Sequence, residues 1–252
     1  MTNPLFNQDF DLITLDLGHT LIWPDYGKLA ACMSEYFDMP ITPAMVCAAE
    51  ILFRQTIPAF DTRDHDRIPI PRNAYNYYAA LVEYCLKQPV YEMEEHFRPF
   101  AIEAHRYHVN KNWFMVLGPD AVPALRLLSK HCRLGAISNA HGTLDRDLEI
   151  LGIRHFFEFV TDSHLEGVCK PHPAIFERSL QRADVRPDRA VHIGDQPAAD
   201  VGGALSVGMR AVLYDAQGIY DDIKVPGVPC FRNLLDTARS LLGEPDFVIP
   251  PI

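Results

Sequence analysis

The stretch that most constrains this chain is Leu12-Ile13-Thr14-Leu15-Asp16-Leu17-Gly18-His19-Thr20-Leu21, an apolar run that carries one carboxylate and then meets a glycine. Ile13, Leu15 and Leu17 give it the length and composition of a buried strand, and Gly18 supplies the turn. Asp16 is thereby placed at the carboxyl end of a strand, the edge of an open α/β sheet at which ligands bind. Taken by itself, the residue fits a loop cap equally well, so its chemistry has to be read from the rest of the chain.

Three later segments repeat the pattern. Leu134-Gly135-Ala136-Ile137 runs into Ser138-Asn139, and Val191-His192-Ile193-Gly194 runs into Asp195, with Asp200 close behind. Lys170 opens Lys170-Pro171-His172-Pro173 ahead of a helical pattern. From Pro119 onward helix and strand signals alternate: helix over 121–129, strand to 138, helix over 143–152, strand over 156–160 and helix over 174–183. A strand over 190–194, a helix over 198–207, a strand over 210–214 and a last helix over 232–242 follow, with a proline-bearing tail from Gly243. Such alternation predicts an α/β fold, a mostly parallel sheet wrapped by helices.

Between Gly27 and Asn112 no strand pattern interrupts the helical one. Thr42-Pro43 reads as a cap followed by a first-turn proline, with Met45, Ala48, Ala49 and Leu52 as the apolar stripe. Ala74, Tyr77, Tyr78, Leu81, Val82 and Cys85 mark a second helix, and 92–108 a third, more polar one. The charged connection from Asp61 to Arg67 reads as a solvated loop, or as one whose Arg63 or Arg67 clamps an anion.

The 252 residues suffice for one large domain, or for one domain carrying an insertion. A net charge of −10 argues against a nucleic-acid backbone or an anionic membrane as the main partner. The six cysteines are scattered, with no CxxC pair or zinc-like spacing, and read as thiols in a reducing compartment. Residues 1–11 have neither a basic segment nor a long apolar one, and no later run approaches a membrane span, so a cytoplasmic protein is expected.

In their order, Asp16, Ser138-Asn139, Lys170 and Asp195 with Asp200 resemble the four motifs of the haloacid dehalogenase (HAD) superfamily, from Asp11 to about Tyr214. The resemblance implies a Rossmann-like, doubly wound core over 1–24 and 113–252, and an inserted α-helical cap domain over 25–112 that takes part in substrate choice. It also implies a Mg²⁺-dependent hydrolase, a phosphatase acting on a small phosphorylated metabolite through an aspartyl-phosphate. Asp16 is then the nucleophile and, with Asp195, Asp200 and the Gly18 carbonyl, a metal ligand. Ser138 and Lys170 bind and neutralise the phosphate, Asp200 helps to hold Lys170, and Thr20, Asn139 and His19 complete the substrate contacts.

Gly18 departs from the family pattern, which usually has a second aspartate two residues after the nucleophile to protonate the leaving oxygen and activate water. Such an acid/base is worth about 10²–10⁴ in rate, a severe loss for an alkyl phosphate. His19 is the neighbouring residue able to supply the proton. Two further readings stay open: a dehalogenase-like or phosphonatase-like hydrolase of C–X or C–P bonds, and a low-turnover binding or regulatory protein on the same fold. A phosphonatase calls for a Schiff-base lysine, for which Lys28 and Lys87 are the candidates before Lys111. His105 and His108 share a helix face but lack a third metal ligand.

Overall fold

The computed structural model describes residues 10–56, 69–222 and 225–243. The connection holding Arg63 and Arg67, and the tail after Gly243, lie outside the described residues. The chain divides into two compact units, one formed by Met1–Trp23 with Val116–Ile252, the other by Pro24–Met115. Strand β1 (Leu12–Leu15) opens the first unit, and β2 (Ile22–Pro24) leads into the second. Helices α1 (Tyr26–Phe37), α2 (Pro43–Thr56), α3 (Arg72–Leu86) and α4 (Glu94–Lys111) follow, and β3 (Phe114–Leu117) pairs with β2 in a two-stranded sheet.

The first unit continues with α5 (Ala121–Leu128), β4 (Arg133–Ser138), α6 (Leu144–Ile150), β5 (Phe159–Asp162), the one-turn α7 (Ser163–Glu166) and α8 (Pro173–Ala183). Then come β6 (Ala190–Gly194), a π-helical turn over Pro197–Gly202 that leads into α9 (Gly203–Ser206), β7 (Arg210–Tyr214), β8 (Cys230–Phe231) and α10 (Leu234–Leu241). The strands form one sheet in the order β5-β4-β1-β6-β7-β8, each neighbouring pair parallel. Leu12, Ile13, Leu15, Ile137, Val191 and Ile193 are buried, as expected of parallel strands covered on both faces. The protein is thus an α/β fold with a parallel sheet, and strand order reverses beside β1, which has β4 on one side and β6 on the other.

In the second unit α1, α3 and α4 bury Leu29, Met33, Tyr78, Leu81, Val82, Phe97 and Phe100 in one cluster. Helix α2 keeps part of the predicted stripe, with Ala49 buried and Met45 packed half-buried on the cluster, but Val46 and Glu50 are buried as well and Leu52 is 50% exposed. The reason is Glu50, whose carboxylate accepts from the Tyr77 hydroxyl at 2.7 Å and from the Tyr26 hydroxyl. Two donors make burial of an acid tolerable, and a pattern that counts only apolar residues misses that.

Strand β5 starts at Phe159 instead of 156, because 154–156 form a 3₁₀ turn. Gly135 on β4 makes room for that strand, since a Cβ there would lie 2.3 Å from the Phe159 ring. The predicted helix over 198–207 is split into the π-helical turn and α9. Among the described residues no helix is long and apolar enough to cross a membrane, and no cysteine forms a disulfide.

Candidate active site

Parallel register places the ends of β1, β4 and β6 side by side: Leu15 pairs with Ala136 on one flank and with Ile193 on the other. Asp16 therefore emerges next to Ser138 at the end of β4, and its N–H donates to the Ile193 carbonyl at 2.8 Å. Asp195 follows β6 by one residue. This is the carboxyl edge of the sheet at its point of strand-order reversal, the position where open α/β folds bind ligands.

Lys170 reaches this edge from the loop before α8. Its ammonium donates to Asp16 Oδ1 at 2.5 Å, to Asp200 Oδ1 at 2.6 Å and to the Ile137 carbonyl at 2.9 Å, which uses all three of its protons. Its backbone is held as firmly. The Lys170 N–H donates to Asn139 Oδ1 at 2.8 Å, and Asn139 Nδ2 donates to the Lys170 carbonyl at 3.0 Å. The Asn139 side chain, expected among the substrate contacts, is thus committed to Lys170.

Asp200 lies in the π-helical turn, and its Oδ2 accepts from the Gln196 N–H at 2.8 Å. π-Helical turns are rare and occur mostly at functional positions. Gly194 makes the approach possible. A Cβ at that position would sit 2.2 Å from Asp200 Cγ, so the carboxylate occupies the space a side chain would need. In sequence Gly194 reads only as the residue that opens the Gly194-Asp195 through Asp200 metal-binding pattern.

The turn after Asp16 is wound around one carbonyl: Leu17 O accepts from the N–H groups of Thr20, Leu21 and Ile22, and the His19 N–H donates to Ile22 O. None of these bonds uses the Gly18 carbonyl. His19 has φ 56°, and its ring meets Trp23 edge-on at 5.3 Å. The Thr20 hydroxyl is buried without a hydrogen-bond partner among the described residues.

A further anchor, absent from the sequence reading, is Asp162. It accepts from Gly142 N–H at 2.8 Å and His164 N–H at 2.9 Å, which ties the loop after Ser138 to the start of α7. Burial in this region pulls the His141 pKa down.

Four charged groups are buried together: Asp16 is 5% exposed, Lys170 3%, Asp195 2% and Asp200 1%. Burial by itself would pull the Lys170 ammonium pKa down, but the carboxylates of Asp16 and Asp200 outweigh it and hold the pKa above its ordinary value. Burial would raise Asp200, yet Lys170 and His192 keep it well below the carboxylate range. Asp16 is pushed up, by burial first and by the Asp200 charge, against the pull of Lys170.

Three carboxylates thus face one ammonium, and an excess of buried negative charge is costly unless a cation balances it. Ligand oxygens of Asp16, Asp195 and Asp200 lie within 4.8 Å of one another. An all-oxygen set suits a hard divalent ion, so the triad can hold a metal. Among the described residues no comparable group forms around His105 and His108.

Fold and site together define an α/β protein with an acidic, lysine-bearing centre at the carboxyl edge of its parallel sheet. The chain belongs to the haloacid dehalogenase-like hydrolases, whose family profile matches residues 11–208. It is 29% identical over 206 residues to a glyceraldehyde 3-phosphate phosphatase of Pyrococcus furiosus, covering 81% of this chain and 80% of that protein. A protein of the same name from Methanopyrus kandleri is 36% identical over 148 residues, covering 55% of this chain and 63% of the relative. The mouse haloacid dehalogenase-like hydrolase domain-containing protein 3 is 38% identical over 116 residues, 46% of each chain. The last two matches thus span less than two thirds of the relatives' lengths.

Among solved structures, a HAD hydrolase of Bacillus subtilis bound to magnesium superposes with a TM-score of 0.63 at 20% identity, covering 94% of this chain and all of that one. A 2-haloacid dehalogenase of Pseudomonas syringae gives a TM-score of 0.56 at 25% identity, covering 92% of this chain and 98% of that one.

Proposed function

We propose that this hydrolase is a Mg²⁺-dependent phosphatase of a small phosphorylated metabolite, with Asp16 as the nucleophile. The observation that carries the reading is the buried excess of carboxylate around Lys170. Asp16, Asp195 and Asp200, with the Gly18 carbonyl, would hold the Mg²⁺ ion. When bound, the ion supplies charge neutralisation for the phosphoryl group and the attacking carboxylate.

An Asp16 carboxylate oxygen attacks phosphorus, the ester P–O bond breaks, and its electron pair leaves on the substrate oxygen, which takes up a proton. Water then attacks phosphorus, its proton passes to His19 or to solvent, and the bond from phosphorus to the Asp16 oxygen breaks. Phosphate is released and the Asp16 carboxylate returns. Lys170 and the Ser138 hydroxyl hold the phosphoryl oxygens, as pre-set charge and dipole do in such sites. With Gly18 in place of an acid, the leaving oxygen is protonated by water or His19. The reading therefore favours a substrate whose leaving group departs without strong acid assistance, or a slow enzyme. The helical unit over Pro24–Met115 is read as the domain that selects the substrate.

Lys28 and Lys87 are both exposed; Lys28 pairs with Asp25 at 3.4 Å, and Lys87 lies 3.8 Å over the Tyr84 ring. Neither has the desolvated setting of a Schiff-base lysine, which favours phosphate esters over phosphonates. Phosphate release should be measured on a panel of phosphorylated metabolites, glyceraldehyde 3-phosphate included, with Mg²⁺ and with chelator. Mg²⁺-dependent turnover of at least one ester is expected. Halide release from 2-haloacids with chelator present, and no phosphate release, would refute the reading.

A further inference from the structure

Below the site lies a buried pair to which the proposed reaction gives no role. Thr14 on β1 and His192 on β6 are register partners in adjacent parallel strands, and both are fully buried. Thr14 Oγ1 lies 2.8 Å from His192 Nδ1, and His192 Nε2 lies 3.1 Å from Asp200 Oδ1. The Phe176 ring meets the imidazole edge-on at 5.3 Å and 85°. Gly203 leaves room for Phe176, since a Cβ there would lie 2.4 Å from the ring. The imidazole is therefore held at both nitrogens and from its side.

The proton positions follow from the partners. A carboxylate only accepts, so His192 Nε2 carries the hydrogen that bonds Asp200. In the neutral ring that tautomer leaves Nδ1 bare and able only to accept. The Thr14 hydroxyl must then donate to Nδ1 and has no second proton for the Val191 carbonyl at 3.5 Å. The chain of donors runs from Thr14 to His192 to Asp200, where it meets Lys170 arriving from the other side. Asp200 Oδ1 thus receives two donors, and its orientation is set.

We propose that Thr14 and His192 are positioning residues that fix the Asp200 carboxylate so that it keeps Lys170 in place while Asp16 reacts. This inference rests on the phosphatase reading. As an Asp16 oxygen bonds to phosphorus, its negative charge is consumed, and Asp200 remains as the anionic anchor of Lys170. An Asp200 free to rotate would let the ammonium follow the phosphoryl group out of line. The effect falls on the transition state, hence on kcat more than on KM.

The test uses the full chain and whichever phosphate ester of the metabolite panel it turns over fastest. Thr14→Val removes the hydroxyl donor and is expected to lower kcat about tenfold with KM within about twofold, the size of one hydrogen bond in a charged network. Thr14→Ser returns most of that loss. His192→Phe keeps a ring against Phe176, and adding Thr14→Val to it lowers kcat no further, because the two residues act in series. Unaltered kcat in Thr14→Val, or losses that add in the double variant, overturns the inference; should His192→Phe not fold, the two Thr14 variants decide it.

¹⁵N-histidine NMR reads the same arrangement without turnover: a protonated Nε2 and a bare Nδ1 are expected for His192, with the Nδ1 resonance shifted in Thr14→Val. A bare Nε2 overturns the hydrogen-bond chain even in an active enzyme. Failure of the unaltered protein to hydrolyse any ester strikes the phosphatase reading instead.

Discussion

Replacing Gly194 with alanine should disable the site through one methyl group. The added Cβ would stand 2.2 Å from Asp200 Cγ and 2.5 Å from its Oδ2, while carbon atoms in contact rest at about 3.5 Å. Asp200 must retreat by about 1.3 Å, or the strand must bend. Gly194 does not have a positive φ, so the backbone accepts alanine and the conflict is purely with the carboxylate. A shift of that size breaks the 2.6 Å bond to Lys170, the 3.1 Å bond to His192 and the 2.8 Å bond from Gln196.

Removing one partner of a buried ion pair typically costs about 3–5 kcal/mol, and misplacing a reacting group by about 1 Å costs about 10² in rate. Thermal unfolding followed by circular dichroism and kcat on the same preparation should show both losses. Gly27→Ala is the control: its Cβ meets nothing closer than 3.4 Å near the start of α1, and it should stabilise the protein by about 0.5–1 kcal/mol. A Gly194→Ala protein with unaltered melting temperature and kcat would show that Asp200 is not seated as described.

Asp16→Asn should abolish phosphate release while leaving circular dichroism unchanged; activity within tenfold of the unaltered protein would rule Asp16 out as nucleophile. Gly18→Asp should speed hydrolysis of alkyl phosphates by up to about 10², since the position has no positive φ and the missing acid/base is restored; a fall in rate would mean that the pocket cannot take the side chain or that His19 already acts. Burial, against the pull of the Tyr26 and Tyr77 hydroxyls, raises the Glu50 pKa above its ordinary value of 4.5. The folded state then holds that proton more tightly than the unfolded one, so stability from this group is present at low pH and is lost as pH rises from 4.5 through the raised value. Glu50→Gln should therefore gain melting temperature relative to the unaltered protein as pH rises from 4 to 8, and parallel curves would contradict the assignment.

What could be read from residues alone followed strand ends. Asp16, Ser138 and Asp195 each close an apolar run, and a parallel sheet gathers such ends on one edge whatever the order of its strands. Lys170 was legible from its place before a helix, but its grip on Asp16 and Asp200 depends on a loop that only tertiary structure brings in. Thr14 and His192 lie far apart in sequence and meet because β6 is laid beside β1; no local periodicity records that choice. The buried face of α2 extends past its apolar stripe because Glu50 behaves as a core residue once two tyrosines bond it. Strand β8, with two residues on the edge of β7, is too short to carry a period. Gly194 looks like any turn glycine until the carboxylate filling its missing side chain is seen.

The pairing of β2 with β3 has a consequence for chain length. Because the chain leaves and re-enters the first unit through two hydrogen-bonded strands, the intervening residues 25–113 are closed off much as a tight hairpin would be. The entropy of closing that excursion is settled at the zip, and grows only slowly with the length beyond it. Insertions and deletions within the excursion are thereby expected to cost the sheet little.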